Sequence, residues 1–255
     1  MKTLDRHWIL GLLVAIAGSL ASAGPLPASL SVTGQVSFDT VNSFANGGAL
    51  QSGTLTHRNG GVDTTLAFGV APNLLSGALS ATGDGAGVLS SVSGTFAGPD
   101  PATVSLFADY LFNLSNSSAT DTLTIFFRAT AINNVSASGA DAYAHSLLSV
   151  RDELNAEIFF SDISADTVNG DTSFISASDL FSLVLAPGQS TSFSALQSLQ
   201  GGAFADGSSY SASLDGFLAI EEVRSTGTPT NDVPLPGTLP LVLLALLMAR
   251  RTRRV

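Results

Sequence analysis

Along residues 104–114 apolar and polar positions alternate with a period of two. Val104, Leu106, Ala108, Tyr110, Phe112 and Leu114 fall on one side, with Ser105, Asp109 and Asn113 among the residues on the other. Successive side chains of a strand point to opposite faces, so the pattern predicts a half-buried β-strand. A second strand has Leu123, Ile125, Phe127, Ala129 and Ala131 inward, with Thr122, Thr124, Arg128 and Thr130 outward. In a third, Tyr210, Ala212, Leu214, Gly216, Leu218 and Ile220 alternate with Ser209, Ser211, Ser213, Asp215 and Glu221. Weaker alternation marks Val32 to Phe38, Thr64 to Val70, Val88 to Phe96, Leu154 to Phe160, Leu180 to Ala186 and Ser192 to Leu196. Pro187-Gly188 predicts a tight turn between the last two, since proline presets φ at the first central position and glycine accepts a positive φ at the second.

No long helical period interrupts this body. About nine strands predict an all-β fold, a single antiparallel β-sandwich of the immunoglobulin-like or jelly-roll kind, large enough to fold without disulfides. Gly and Ser cluster at 34–61 and 76–98 and read as extended loops or poorly ordered strands. Residues 24–98 are therefore expected to form a looser first sheet, and 99–223 the better-defined half of a body spanning 24–228.

The two ends depart from strand periodicity. Lys2 and Arg6 precede an apolar stretch from Trp8 to Leu20, which ends in Ala21-Ser22-Ala23. A basic start, a short apolar segment and an A-x-A site are the parts of a secretory signal peptide, here residues 1–23. Cleavage would use Ala21 and Ala23 and leave Gly24 as the mature start, making the Sec translocon and signal peptidase the first partners. As an uncleaved anchor the stretch would reach only about 20 Å, against a hydrocarbon core of roughly 30 Å.

Residues 229–255 form the other address. A polar spacer, Thr226 to Asp232, leads into Val233, Pro234, Leu235, Pro236 and Gly237, then a Leu/Val-rich run from Leu239 to Ala249, then Arg250, Arg251, Thr252, Arg253 and Arg254. These eleven apolar residues, extended back to Val233, make about seventeen, the minimum for a helical span, and Pro234, Pro236 and Pro240 place the helix start near Pro240. The arginines stay cytoplasmic by the positive-inside rule, which puts the body across the inner membrane. A lipid-anchor signal of the GPI type would end in apolar residues rather than in four arginines.

This order of spacer, V-P-L-P, Leu-rich segment and terminal arginines resembles the PEP-CTERM sorting tail of Gram-negative bacteria, in its VPLP-type variant. Leu235 stands where the Pro-Glu-Pro form carries glutamate. The resemblance covers roughly the last 25 residues and implies an exosortase-like membrane enzyme that processes the tail and passes the body to the cell surface or beyond. A plain single-span anchor with a basic stop is the alternative reading.

Charge then narrows the partners. Only 12% of the 255 residues are charged, against about 25% in ordinary soluble domains. Residues 24–232 carry four arginines, no lysine and nineteen carboxylates, a formal charge of −15. Such a body repels nucleic acid, so no nucleic-acid partner is expected. The absence of cysteine removes disulfides, thiolate metal sites and a cysteine nucleophile.

Candidate chemistry is sparse. There is no G-x-S-x-G nucleophile elbow and no H-E-x-x-H zinc motif. His57 and His145 are the histidines of the body, and Asp141, four residues before His145, would share its face if both lay in a strand. Asp152, Glu153 and Glu157, or Glu221 and Glu222, are the carboxylates that glycosidase chemistry would draw on, although adjacent strand residues face opposite ways. Asp162, Asp166 and Asp171, near Asn169-Gly170, offer oxygen ligands for a structural Ca²⁺, as does Asp84 in Thr82-Gly83-Asp84-Gly85; neither spacing fits an EF-hand. No other cofactor is expected. The functional expectation is an exported, non-catalytic protein of the cell surface or extracellular matrix, structural or adhesive, with exopolysaccharide as its contact. The competing class is a surface-anchored glycan-binding module or glycan-acting hydrolase.

Overall fold

The computed structural model describes residues 24–171 and 175–227. The signal segment, the V-P-L-P motif, the terminal arginines and both expected flanking helices lie outside these residues.

Fourteen strands run through the described chain. They are β1 (Leu30–Phe38), β2 (Phe44–Asn46), β3 (Leu50–Asn59), β4 (Val62–Ala67), β5 (Leu74–Leu79), β6 (Gly85–Thr95) and β7 (Ala102–Asn116), followed by β8 (Leu123–Ser138), β9 (Ala142–Asp152), β10 (Glu157–Asp166), β11 (Gly170–Asp171), β12 (Ile175–Leu185), β13 (Ser190–Ala203) and β14 (Ser209–Ser225). All pairings are antiparallel. One sheet has the order β11-β10-β9-β13-β7-β1-β5, with β2 also paired to β7; the other has the order β12-β8-β14-β6-β3-β4. No helix among the described residues is long and apolar enough to cross a membrane.

The three clear alternating segments become β7, β8 and β14, and their apolar faces are buried as the period requires. These faces meet those of the neighbouring strands in one continuous core. At its centre Phe112 of β7 stacks on Phe193 of β13 with centroids 4.6 Å apart. Phe127 of β8, in the opposite sheet, meets Phe193 edge-on at 4.8 Å. Aromatic pairs in these geometries add to what area burial alone supplies.

Polar groups also cross between the sheets. Tyr110 on β7 donates its hydroxyl to Gln197 Oε1 on β13 at 2.8 Å, and Gln197 Nε2 donates to Ser90 Oγ on β6 at 2.7 Å and to the Val88 carbonyl at 3.1 Å. Gly216 on β14 lies so close that a Cβ there would collide with Gln197 Oε1. A second buried link joins Asn133 of β8 to Ser161 of β10, at 2.7 Å, and to Ser146 of β9.

Several expectations need correction. The Gly/Ser-rich stretches are strands: β1, β2 and β3 occupy much of 34–61, and β5 and β6 much of 76–98. Nor do these residues form a first sheet of their own, because β1, β2 and β5 belong to one sheet and β3, β4 and β6 to the other. The expected strand at Leu154 starts instead at Glu157, because Asp152 Oδ1 accepts the amides of Leu154 and Ala156 and folds that segment into a turn. The Pro187-Gly188 turn forms as expected, with Gly188 at φ 72° and the Gln189 amide donating to the Ala186 carbonyl at 3.1 Å.

Candidate binding face

Alternation that buries one side of β1, β7, β13, β9 and β10 turns the other side outward, and register sets which residues become neighbours. Ser31, Ser115 and Ser190 form one cross-strand row, and Thr33, Asn113 and Ser192 the next. The following row holds Gln35, Leu111, Ser194 and Arg151. Beyond it lie Ser37, Asp109, Leu196, Ser149 and Phe160, drawn from five strands. From Ser31 to Ser37 the strip extends about 20 Å at a strand rise of roughly 3.4 Å per residue. The first two rows are almost entirely hydroxyl and amide.

Two depressions mark this face. The first, about 350 Å³, lies over the hydroxyl rows and is closed at one side by Glu153, whose Oε2 accepts the Thr191 hydroxyl at 2.8 Å. The second, about 540 Å³, spans the next two rows and adds Leu147 of β9 to their floor. Its apolar members are partly open to solvent: Phe160 is 50% exposed, Leu196 38% and Leu111 37%. Burial pushes the Asp109 carboxyl up, and the charge of Asp39 pushes it further.

The groove also holds a cation with no charged partner. Arg58 pairs with Asp63, Arg128 with Glu221 and Arg224 with Glu222, all within 3.0 Å. Arg151 donates instead to neutral oxygens, Ser149 Oγ at 3.4 Å and Asn155 Oδ1 at 3.3 Å, while Ser149 donates onward to Glu157 Oε2 at 3.2 Å. Among the described residues it is the arginine without an ion pair.

The residues singled out from the sequence are dispersed. Asp141 lies in the turn before β9 and does not meet His145; His145 Nε2 instead sits 2.6 Å from Asp162 Oδ1 on β10. That pair lies on β9 and β10, further along the strands beyond the Ser149–Phe160 row, and is partly exposed, which suits a surface contact. Glu221 and Glu222 straddle a β-bulge after Ile220 and each holds its own arginine, so they form no acid–base pair. His57 is buried on β3.

The side chains of Asp162, Asp166 and Asp84 are committed to nitrogen donors. Asp166 accepts the amides of Val168 and Asn169 and the Asn169 side chain, and Asp162 engages His145. Asp171 pairs through its backbone with Ala165. Asp84 is fully buried, and its carboxylate accepts the amides of Gly60, Gly61, Ser80 and Ala81 at 2.8 to 3.1 Å. A cation there would displace four N–H donors, so the Thr82-Gly83-Asp84-Gly85 loop does not fit one. Burial raises the Asp84 carboxyl, but the four amides outweigh it and hold the group below the ordinary Asp value. Among the described residues no three His, Cys, Asp or Glu side chains cluster to hold a metal.

Gly24, the expected mature start, is tied into this same region. Its nitrogen donates to Thr82 Oγ1 at 3.0 Å and its carbonyl accepts the Thr82 amide at 3.0 Å.

Comparison with known protein families finds no match, and neither does comparison with curated proteins. Among solved structures the chain shares 8% identity with a GH31 alpha-xylosidase from Xanthomonas citri, covering 78% of this chain and 19% of that one at a TM-score of 0.22. It shares 11% identity with the infectious bursal disease virus Gx strain structure, covering 93% and 76% at a TM-score of 0.13. The chain thus spans about a fifth of the xylosidase's length, and likenesses this faint carry no functional argument.

Proposed function

We propose that this is an exported, non-catalytic protein of the bacterial cell surface or extracellular matrix, with a structural or adhesive role exerted through the outer face of its eight-stranded sheet. On this reading the two facing sheets are one β-sandwich of the immunoglobulin-like or jelly-roll kind. The signal peptide at 1–23 delivers it through the Sec translocon, and the PEP-CTERM-like tail at 229–255 holds it in the inner membrane until an exosortase-like enzyme processes it.

The single observation that carries the adhesive role is the strip running from Ser31, Ser115 and Ser190 to the Asp109 groove. It offers hydroxyl, amide and carboxyl groups beside apolar side chains on a rigid sheet, the mixture that contact with a hydroxyl-rich polymer such as exopolysaccharide requires. A glycan-acting hydrolase would need two carboxyl groups facing one groove, about 5 to 10 Å apart. On the strip, the Asp109 groove is lined by one carboxylate and Glu153 borders the other depression; Glu157 and Asp179 line a separate depression between β10 and β12.

Co-sedimentation of the full-length protein with exopolysaccharide from its own cells tests this reading. Retention that falls when Ser192→Trp blocks the strip is the expected result. Equal retention of the variant, or release of reducing ends from the polymer, would overturn it.

A further inference from the structure

We infer that the groove between Arg151 and Asp109 takes a uronic-acid residue of an acidic glycan, so that the strip contacts anionic rather than neutral polysaccharide. The inference rests on the reading of this face as a polymer-contact surface and adds the chemical class of the polymer.

Arg151 carries the argument. A guanidinium has five N–H donors, and this one makes two long bonds to neutral oxygens, leaving donors and a full charge for a ligand. The other three described arginines are matched by carboxylates. Neutral hydroxyls would satisfy its hydrogen bonds but not its charge, whereas a carboxylate matches the planar fork in two parallel bonds. The surrounding body is strongly acidic and its general field repels an anion, as it repels nucleic acid, so an anionic group binds only where a local complement is built.

The rest of the groove suits a sugar ring carrying that carboxylate. The Asp109 carboxyl makes no hydrogen bond within the described residues and is free to accept from ring hydroxyls. Gln35 and Ser194 supply a donor and acceptor in the Arg151 row. Phe160 and Leu196 lie in the next row and give the apolar face of a pyranose a surface to rest on.

Titration calorimetry of the full-length protein in detergent, with tetragalacturonate and with cellotetraose, tests the assignment. The acidic tetramer should bind at least tenfold more tightly, and Arg151→Gln should weaken it by roughly tenfold or more while leaving cellotetraose unchanged. Arg151→Lys keeps the charge but loses the fork and should fall between. Phe160→Ala should weaken both tetramers. Arg151 and Phe160 are solvent-exposed, and an unchanged circular dichroism spectrum confirms that each variant folds. Equal affinity for the two tetramers, or an Arg151→Gln variant that binds the acidic one as wild type does, would overturn the uronate assignment and leave the adhesive reading standing. No binding of either tetramer, together with no retention on exopolysaccharide, would overturn both.

Discussion

Gln197 Nε2, on one sheet, lies 2.7 Å from Ser90 Oγ on the other, and the same side chain receives the Tyr110 hydroxyl on its oxygen. All three residues are buried. A buried amide is stabilising only while its partners are present, because each orphaned group then carries its desolvation cost. Gln197→Ala should therefore lower unfolding free energy by roughly 2 to 4 kcal/mol, through cavity and lost partners together. Urea denaturation measures it; a loss below about 1 kcal/mol would mean that the inter-sheet link is incidental.

Asp84 sets an acid limit. Its folded carboxyl sits below the ordinary Asp value, so its contribution is fully present above that value and is lost as pH falls through the lower, folded one. Asp84→Asn should cost roughly 2 to 3 kcal/mol at neutral pH and flatten the fall in stability below about pH 4. Unfolding midpoints measured between pH 7 and pH 2.5 check both halves. Added calcium or a chelator should leave the wild-type midpoint where it is.

Tyr210 sets the alkaline limit. Burial, with a smaller contribution from Tyr143, raises its hydroxyl to about 12, and that hydroxyl is buried with no hydrogen-bond partner. A neutral form favoured by folding contributes below the unfolded value near 10 and is lost as pH rises through about 12. Tyr210→Phe removes both the titration and the unsatisfied group. Its stability at pH 7 should equal or exceed wild type, and its decline from pH 10 to 12 should be shallower.

Gly188 isolates backbone strain. It holds φ 72° with nothing near its missing Cβ, so replacement meets no steric neighbour. Gly188→Ala should cost about 1 kcal/mol by thermal or urea unfolding, and Gly188→Asn less, because Asn tolerates the left-handed region.

What could be read in the sequence followed contrast. β7, β8 and β14 alternate large apolar side chains with polar ones, and their buried faces matched residue by residue. β9 went unread because its inward face begins with Ala142, Ala144 and Ser146, too small and too weakly apolar to stand out from Tyr143 and His145 on the other side. β3 was masked by Gly53 and by a buried His57 where an aliphatic residue would have signalled the period. The binding face is a product of register: Ser37, Asp109, Leu196, Ser149 and Phe160 are scattered over more than 120 positions and share a row only after four strand pairings. Asp84 was misleading for the same reason, since two of its four amide donors, Gly60 and Gly61, come from a different hairpin.

Export and processing are the centre of this account, and intact mass combined with cell fractionation tests them most directly, in cells with and without the candidate sorting enzyme. The predicted product begins at Gly24, ends near Val233 to Pro236, lies outside the cell, and disappears in cells lacking the enzyme. A full-length C-terminus held in the inner membrane whether or not the enzyme is present would contradict it and reduce the tail to an anchor.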